Sequence, residues 1–419
     1  MLSMNDALAP GTRPAAQTRA LDLTLWASAS FVPDAVVSPA EPAPRTNGLG
    51  AIQPRPDLVP FIKWPGGKSH ELAAIAAAAP HLTGRLIDPF VGGGSVLLAT
   101  PTAVPAWAND ACRDLVRLYA AAGATDPLTR TAMDSVASAW DGLSGLEVLV
   151  EALAAAFLGG DPGAESKVLR SHVGSCLRLA EAAGPGLTGP YRSRLERDLP
   201  LKFQRMRKVQ TALGETLSPR DLLANVEGAV RAGFYMAVRQ RYNEARRTDR
   251  WDALRSADFL FLREFAYAAM FRFNARDEFN VPYGGITYNR KSLADKVRAM
   301  FGEPMVARLA ATEWRCLDFE PFLAEAAPTA HDFVFVDPPY DSDFSAYDNL
   351  AFGSLDQLRL RDVLEALPAR VMVVIKDTPM IRQLYSSDRW TIDEAAKTYM
   401  WTIKSRNDRS ATHLTIRNH

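Results

Sequence analysis

Short apolar runs separated by helical stretches occupy both ends of the chain, with a long helical block between them. Arg85-Leu86-Ile87-Asp88-Pro89-Phe90 reads as an apolar strand that runs into Val91-Gly92-Gly93-Gly94-Ser95 and then an apolar helix start. Ala106-Trp107-Ala108-Asn109-Asp110 reads as a second strand with an acidic tip. Asp332–Val336 is a buried strand ending at Asp337-Pro338-Pro339-Tyr340, and Val371–Ile375 is another. Apolar strands spaced by helices predict an α/β fold: a parallel sheet with helices on both faces. The stretches Trp390–Tyr399 and Ala411–Arg417 predict an antiparallel edge hairpin.

Between the strand groups, residues 111–302 are mostly helical by pattern, with Gly and Pro punctuation near 159–163 and 184–190. The expected organisation is a catalytic domain formed by 58–110 and 303–419, with 111–302 as a helical insertion. Residues 1–57 are rich in Ala, Pro, Ser and Thr and read as an extended arm, in which Leu21–Trp26 is a short segment able to dock. At 419 residues the chain can bury its own core without metals or disulfides. Lys plus Arg equals Asp plus Glu at 48 each, which excludes a histone-like polycation but leaves local nucleic-acid binding open. Residues 192–256 carry 15 Lys or Arg against 8 Asp or Glu, so the insertion is partly basic. Cys112, Cys176 and Cys316 form no paired motif, and no 18-residue apolar run occurs. A soluble cytoplasmic protein with no membrane partner and no metal is expected.

Three segments carry chemistry. The Asp88–Ser95 turn lies where a strand hands over to a helix, and its glycines let backbone approach a ligand closely. Asp110, ending the next strand, is placed to accept both hydroxyls of a ribose. Pro65-Gly66-Gly67-Lys68-Ser69 is not a phosphate loop: position 62 is Ile rather than the required glycine, and no strong strand precedes it. Asp337-Pro338-Pro339-Tyr340 follows a strongly apolar strand and shares the sheet edge with the glycine turn. A carboxylate, the Pro338 carbonyl and an aromatic ring suit a planar base bearing an amino group. Asp337 and Pro338 accept its hydrogens while Tyr340 stacks. A rigid strand-end turn capped by the aspartate is the plainer alternative.

Phe61-Ile62-Lys63-Trp64-Pro65-Gly66-Gly67-Lys68, Asp88 to Val96, Arg272 to Gly284 and Asp337 to Tyr340 occur in that order. In this the chain resembles the Dam-type (D12 class, alpha-group) DNA adenine-N6 methyltransferases, over about 58–110 and 260–417. The resemblance implies a Rossmann-like sheet, S-adenosylmethionine (SAM) as methyl donor, DNA as partner and a target-recognition insertion. It assigns Trp64, Gly66, Lys68, Asp88, Phe90, Gly92, Gly94, Asp110, Asp318 and Asp337 to the SAM pocket. Asp337, Pro338, Pro339 and Tyr340 become the catalytic motif, and Arg272, Asn274, Arg276 and Asn280 the DNA-contacting loop. Asn280 and Pro282 can equally hold a turn.

The chain departs from the family pattern at several points. Ala268-Ala269 stand where an Asn-Gly pair is usual, Asp277 where a glycine is, Arg263 where an asparagine is, and Lys376-Asp377 where Ser or Asn follows the strand. The insertion is also longer than usual. These changes bear on which DNA sequence is read, and GATC is not expected. Arg239, Arg241, Arg246, Arg247 and Arg250, interleaved with Tyr242 and Trp251, are candidate phosphate contacts or a solvated helix face. The same catalytic motif also serves cytosine-N4 and RNA adenine methylation, and a silent DNA-binding scaffold is a further rival. The Ala- and Leu-rich helices of the insertion also suit a protein partner.

Overall fold

The computed structural model describes residues 48–339, 352–398 and 410–419. Tyr340, the segment Leu21–Trp26 and most of the expected N-terminal arm lie outside the described residues. The last part of that arm, residues 48–57, is packed. Leu49 N–H bonds the Leu82 carbonyl at 2.7 Å, Gln53 N–H bonds the Ala99 carbonyl at 3.0 Å, and Ile52 is buried. Proline content alone did not reveal this, because one buried isoleucine and a single bridge with Leu82 anchor the segment.

The strands are β1 (Leu86–Asp88), β2 (Ala106–Asn109), β3 (Thr312–Arg315), β4 (Phe333–Val336), β5 (Arg370–Lys376), β6 (Thr391–Thr398) and β7 (Ser410–Arg417). They form one sheet in the order β3-β2-β1-β4-β5-β7-β6. The first five are parallel and β7 runs antiparallel between β5 and β6. This is the expected Rossmann-like α/β sheet with its antiparallel edge hairpin. β3 escaped the sequence pattern because Thr-Glu-Trp-Arg has little apolar character, as suits an edge strand with charged side chains.

Alternation along the strands explains the two layers. Leu86, Phe333, Phe335, Met372 and Val374 face one apolar core, whereas Ile87, Val334, Val336, Val373 and Ile375 face the other. The second core is closed by α12 (Phe319–Ala326), α13 (Ser354–Ala366) and α14 (Pro379–Leu384). The first runs on without a break into the helical block.

That block follows α1 (Leu72–Ala78) and α2 (Ser95–Ala99) and occupies the chain between β2 and β3. Its helices are α3 (Arg113–Gly123), α4 (Pro127–Gly142), α5 (Glu147–Leu158), α6 (Pro162–Ala182), α7 (Thr188–Leu213), α8 (Pro219–Arg247), α9 (Ala253–Phe265), α10 (Ala294–Met300) and α11 (Glu303–Ala310). Their starts are written locally: Asp126, Asp161 and Ser218 each cap a backbone N–H just before a proline at the first helical position. Trp140 is the hub of the packing, with Phe265 at 4.3 Å and Phe261 at 5.2 Å between ring centres.

Candidate active site

The chain reverses its direction across the sheet between β1 and β4, and ligands of open α/β sheets bind in the crevice at such a switch point. The sequence-predicted residues gather there, at the carboxyl ends of β2, β1 and β4. Asp337 leaves β4 directly, and Pro338 behind it is buried. The Pro339 carbonyl is tied back to the buried Gln357 of α13 at 3.0 Å, which fixes the strand-end turn.

Lys68 reaches this turn from the other end of the chain. Its buried Nζ donates to the Gly66 carbonyl at 3.0 Å and forms an ion pair with Asp337 Oδ1. Gly66 sits at φ 77°, so the backbone can fold the lysine inward. The contact spans 269 positions of sequence and fixes the carboxylate at the end of β4.

Asp88, ending β1, is buried and accepts the Phe90 N–H at 3.1 Å. Burial holds its carboxyl well above the usual range, and the charges of Asp337 and Asp110 push the same way. Asp110 accepts two backbone N–H groups, from Gly92 at 3.0 Å and Cys112 at 2.8 Å. The glycine turn is thereby pinned to the second strand. Gly92 takes φ 46°, and a Cβ there would lie 2.7 Å from Trp64 Cδ1, so the indole wall requires glycine. Among the described residues no group of three His, Cys, Asp or Glu converges as a metal site.

Tyr119, Asn109 and Phe319 support this crevice and were not read from the sequence. Tyr119 on α3 is buried, donates to the Gly92 carbonyl at 2.9 Å and stacks on Trp314 of β3 at 4.8 Å. Asn109 ties β2 to Leu317 with bonds of 2.8 and 3.0 Å, which holds the segment leading to Asp318 beside the acidic tip. Asp318 itself caps α12 through the Glu320 N–H at 3.1 Å and pairs with Arg359 at 2.7 Å, half exposed. The next residue, Phe319, packs against Phe90 at 5.7 Å. No local signal marks Tyr119 or Asn109, whose importance lies wholly in what the fold brings to them.

Residues 272–280 form a hairpin closed by a Phe273–Phe279 bridge. Arg272 and Arg276 are exposed, and Arg272 Nε donates to Asn280 Oδ1 at 3.1 Å. Asn274 is engaged inside the loop. Its Oδ1 accepts the N–H groups of Arg276 and Glu278 at 2.9 and 3.0 Å, and its Nδ2 donates to Glu278. Asn243 of α8 docks the hairpin by bonding both backbone groups of Phe279.

Four of the departures from the family pattern fall on this loop or its supports, whereas Lys376-Asp377 lies at the end of β5. Ala268, Ala269 and Asp277 all have left-handed backbone, at φ 52°, 53° and 59°. Arg263, fully buried on α9, donates to the carbonyls of Lys63, Ala269 and Met270 and lies over the Phe271 ring at 4.7 Å. One guanidinium thus clamps the segment carrying Trp64 to the start of the hairpin.

Most of the arginine-rich stretch has structural partners. Arg241 is buried and bidentate to buried Asp258 at 2.6 and 2.8 Å, so it is not a DNA contact. Arg246 joins Asp114 to Asp277, Tyr242 donates to Asp114, and Arg247 and Arg250 pair with Glu244 and Asp252. The Trp251 ring is covered by Arg113, Arg117 and Arg255 at 3.4–4.4 Å. Spacing along the sequence marks only the Arg247–Glu244 pair within α8; the partners of Arg241, Arg246 and Arg250 lie on another element or in the loop beyond α8.

Among the described residues no helix is long and apolar enough to cross a membrane. The family model for D12 class N6 adenine-specific DNA methyltransferases matches residues 64–139 and 211–400, which includes the site above apart from Lys63 and passes over most of α5–α7. The type II methyltransferase M.CviBI of Paramecium bursaria Chlorella virus NC1A is 31% identical over 165 residues, 38% of this chain and 60% of that protein. The retron Ec67 DNA adenine methylase of Escherichia coli is 32% identical over 154 residues, 36% of this chain and 50% of that protein. The type II methyltransferase M.MjaIII of Methanocaldococcus jannaschii is 29% identical over 184 residues, 42% and 61%. The chain therefore spans about half to three-fifths of the length of these curated relatives. With the family model covering well over half of the sequence, the chain belongs to the D12 class N6 adenine-specific DNA methyltransferases.

Proposed function

We propose that this protein transfers a methyl group from SAM to the N6 amino group of adenine in DNA, acting in the cytoplasm. The observation that carries the reading is the Lys68–Asp337 pair at the switch point, beside the Gly92 turn and its Trp64 wall. The residues present suit the co-substrate. Asp110 and Asp337 outnumber Lys68 even with Asp88 protonated, so the pocket's field favours a cation such as a sulfonium. SAM supplies an electrophilic methyl group on that sulfonium.

The rest is positioning. The target base leaves the stack at a cost of roughly a few kcal/mol. Asp337 and the Pro338 carbonyl accept the hydrogens of its amino group and draw the nitrogen lone pair out of the ring. The nitrogen forms its bond to carbon as the carbon–sulfur bond breaks, the sulfur keeps that electron pair, and the surplus proton leaves through Asp337 toward water. Tyr340 would stack on the base. Arg272 and Arg276 on the hairpin are the groups offered to DNA, while Asn274 and Asn280 shape the loop that presents them.

The test is labelled SAM, unmethylated DNA and mass spectrometry of the digested nucleosides, with Asp337→Ala beside the wild type. N6-methyladenine that vanishes in the variant is the expected result. N4-methylcytosine, methylated RNA only, or SAM binding without any methylated base would each overturn it.

A further inference from the structure

A groove of about 250 Å³ lies where the hairpin's return strand meets α7 and α8, lined among others by Arg194, Arg239, Asn243, Glu244, Arg247 and Glu278. Arg194 belongs to the stretch that the family model passes over, whereas the α8 residues and Glu278 lie within it. The acids on its wall are Glu244, which pairs with Arg247 at 2.5 Å, and Glu278, which accepts from the neutral Asn274 amide at 2.9 Å. Arg239 is not balanced in this way. One of its nitrogens donates to the Val281 carbonyl at 3.1 Å, and among the described residues no carboxylate lies within ion-pair distance of it. Burial and the neighbouring Arg194 hold its guanidinium below the ordinary arginine value. Arg194 has only a 3.7 Å pair with Asp198. The acid nearest in effect, Glu278, acts on this half-buried guanidinium only from beyond ion-pair distance, so part of the burial cost remains for an entering anion to recover.

We propose that this groove seats one backbone phosphate of DNA flanking the methylated site, with Arg194 and Arg239 as its ligands, so that α7 lengthens the footprint beyond the hairpin. The inference rests on the DNA reading above. Two facts favour a DNA phosphate over a free anion. The groove adjoins the strand that carries Asn280 and Val281, and Asn243 both lines it and docks the hairpin. A phosphate here would continue the track begun by Arg272 and Arg276. Such a contact fixes register without reading bases.

The experiment uses the full chain, a labelled duplex and a salt titration of binding, with Arg194→Gln, Arg239→Gln, Arg239→Lys and a control, Arg220→Gln. Arg220 is exposed at the start of α8, roughly 28 Å along the helix from Arg239 at 1.5 Å per residue. Each glutamine variant in the groove is expected to weaken binding about threefold to tenfold at physiological salt. Removing both arginines together should also flatten the log–log salt slope by about 0.9, the value of one phosphate. Arg239→Lys should keep most of the affinity, Arg220→Gln all of it, and SAM binding should be retained throughout as the sign of a folded pocket. In the wild type, one neutral methylphosphonate at a single flanking position should reproduce the loss, and in the double variant Arg194→Gln with Arg239→Gln it should add nothing.

Wild-type DNA binding with unchanged affinity and slope in both glutamine variants would overturn the phosphate site and leave the methyltransferase reading standing. Thermal stabilisation by inorganic phosphate, lost in the variants while the DNA slope stays put, would also overturn it in favour of a small-anion site. A wild type that binds no DNA would instead sink the functional reading.

Discussion

Gly92→Ala, compared with Gly93→Ala, isolates the shape of the pocket wall from its chemistry, since both changes add one methyl group to adjacent glycines. At Gly92 the backbone is left-handed, which costs an alanine about 1–2 kcal/mol. The new Cβ would also lie 2.7 Å from Trp64 Cδ1 and 3.1 Å from Nε1, well inside the carbon contact distance of about 3.5–4.0 Å. The indole cannot simply step aside, because Phe271 lies against it at 5.3 Å and the Arg263 guanidinium at 5.4 Å. Overpacking of this kind costs about 1–3 kcal/mol, so the total is roughly 2–5 kcal/mol. At Gly93 the nearest atom is Trp64 Cβ at 3.3 Å and φ is ordinary, so a shift of a few tenths of an ångström suffices and the cost stays under about 1 kcal/mol. Calorimetric titration with SAM and thermal denaturation measure both effects. Gly92→Ala should lose at least tenfold in SAM affinity and melt well below the wild type, while Gly93→Ala stays within a few-fold. Equal behaviour of the two variants, or wild-type SAM affinity in Gly92→Ala, would refute the claim that Trp64 and the turn form one fitted wall.

Asp88→Asn keeps the acceptor for the Phe90 N–H but removes a buried ionisable group. The raised folded-state pKa of Asp88 means that the unfolded chain ionises first as pH rises past about 3.9. Stability is therefore lost above that value until the folded pKa is passed, and the asparagine variant should melt higher than wild type at pH 7.5, with the gap closing toward pH 4. A constant gap across that range counts against a strained carboxyl. Arg241→Met should cost about 3–5 kcal/mol by stranding buried Asp258, while Arg241→Met with Asp258→Leu should regain most of it in urea denaturation. Neither variant should change the salt slope of DNA binding, and a slope lowered by about one would restore Arg241 as a phosphate contact. Ala269→Gly relieves a left-handed alanine and should stabilise by about 0.5–1 kcal/mol, read as a higher urea midpoint at unchanged slope. An unchanged or lower midpoint argues against strain at that position.

The parts of the fold legible in the sequence are those where a local pattern has one physical solution. Short apolar runs ending in Asp-Pro or in an acidic tip announced β1, β2 and β4 and put Asp88, Asp110 and Asp337 at one edge. β3 stayed hidden because an edge strand needs no apolar repeat, and Tyr119 because a helical tyrosine gives no sign that its hydroxyl will find the Gly92 carbonyl. Arginines were the hardest to read. Arg241, Arg246 and Arg255 look alike in the basic stretch and Arg263 follows it, yet buried carboxylates or carbonyls from other segments bind each of them. Charge along a sequence reports where cations are, and only the fold shows which are already spent.

The same distinction gives meaning to the departures from the family pattern. A glycine and an asparagine–glycine pair are cheap ways to hold left-handed backbone, so replacing them by Asp277 and Ala268-Ala269 should favour another path for the chain. The path persists because other contacts over-determine it. Arg246 holds the Asp277 carboxylate at 2.9 and 3.0 Å, and Arg263 holds the Ala269 and Met270 carbonyls. Arg246 also reaches Asp114 at the start of α3, four residues past Asp110, and Arg263 reaches Lys63, beside Trp64. The two arginines that enforce the strained turns are thus the two that tie the hairpin to both sides of the switch-point crevice. Strain in the loop and its attachment to the crevice have the same cause, so the placement of the hairpin depends on these two arginines more than on the identity of the turn residues.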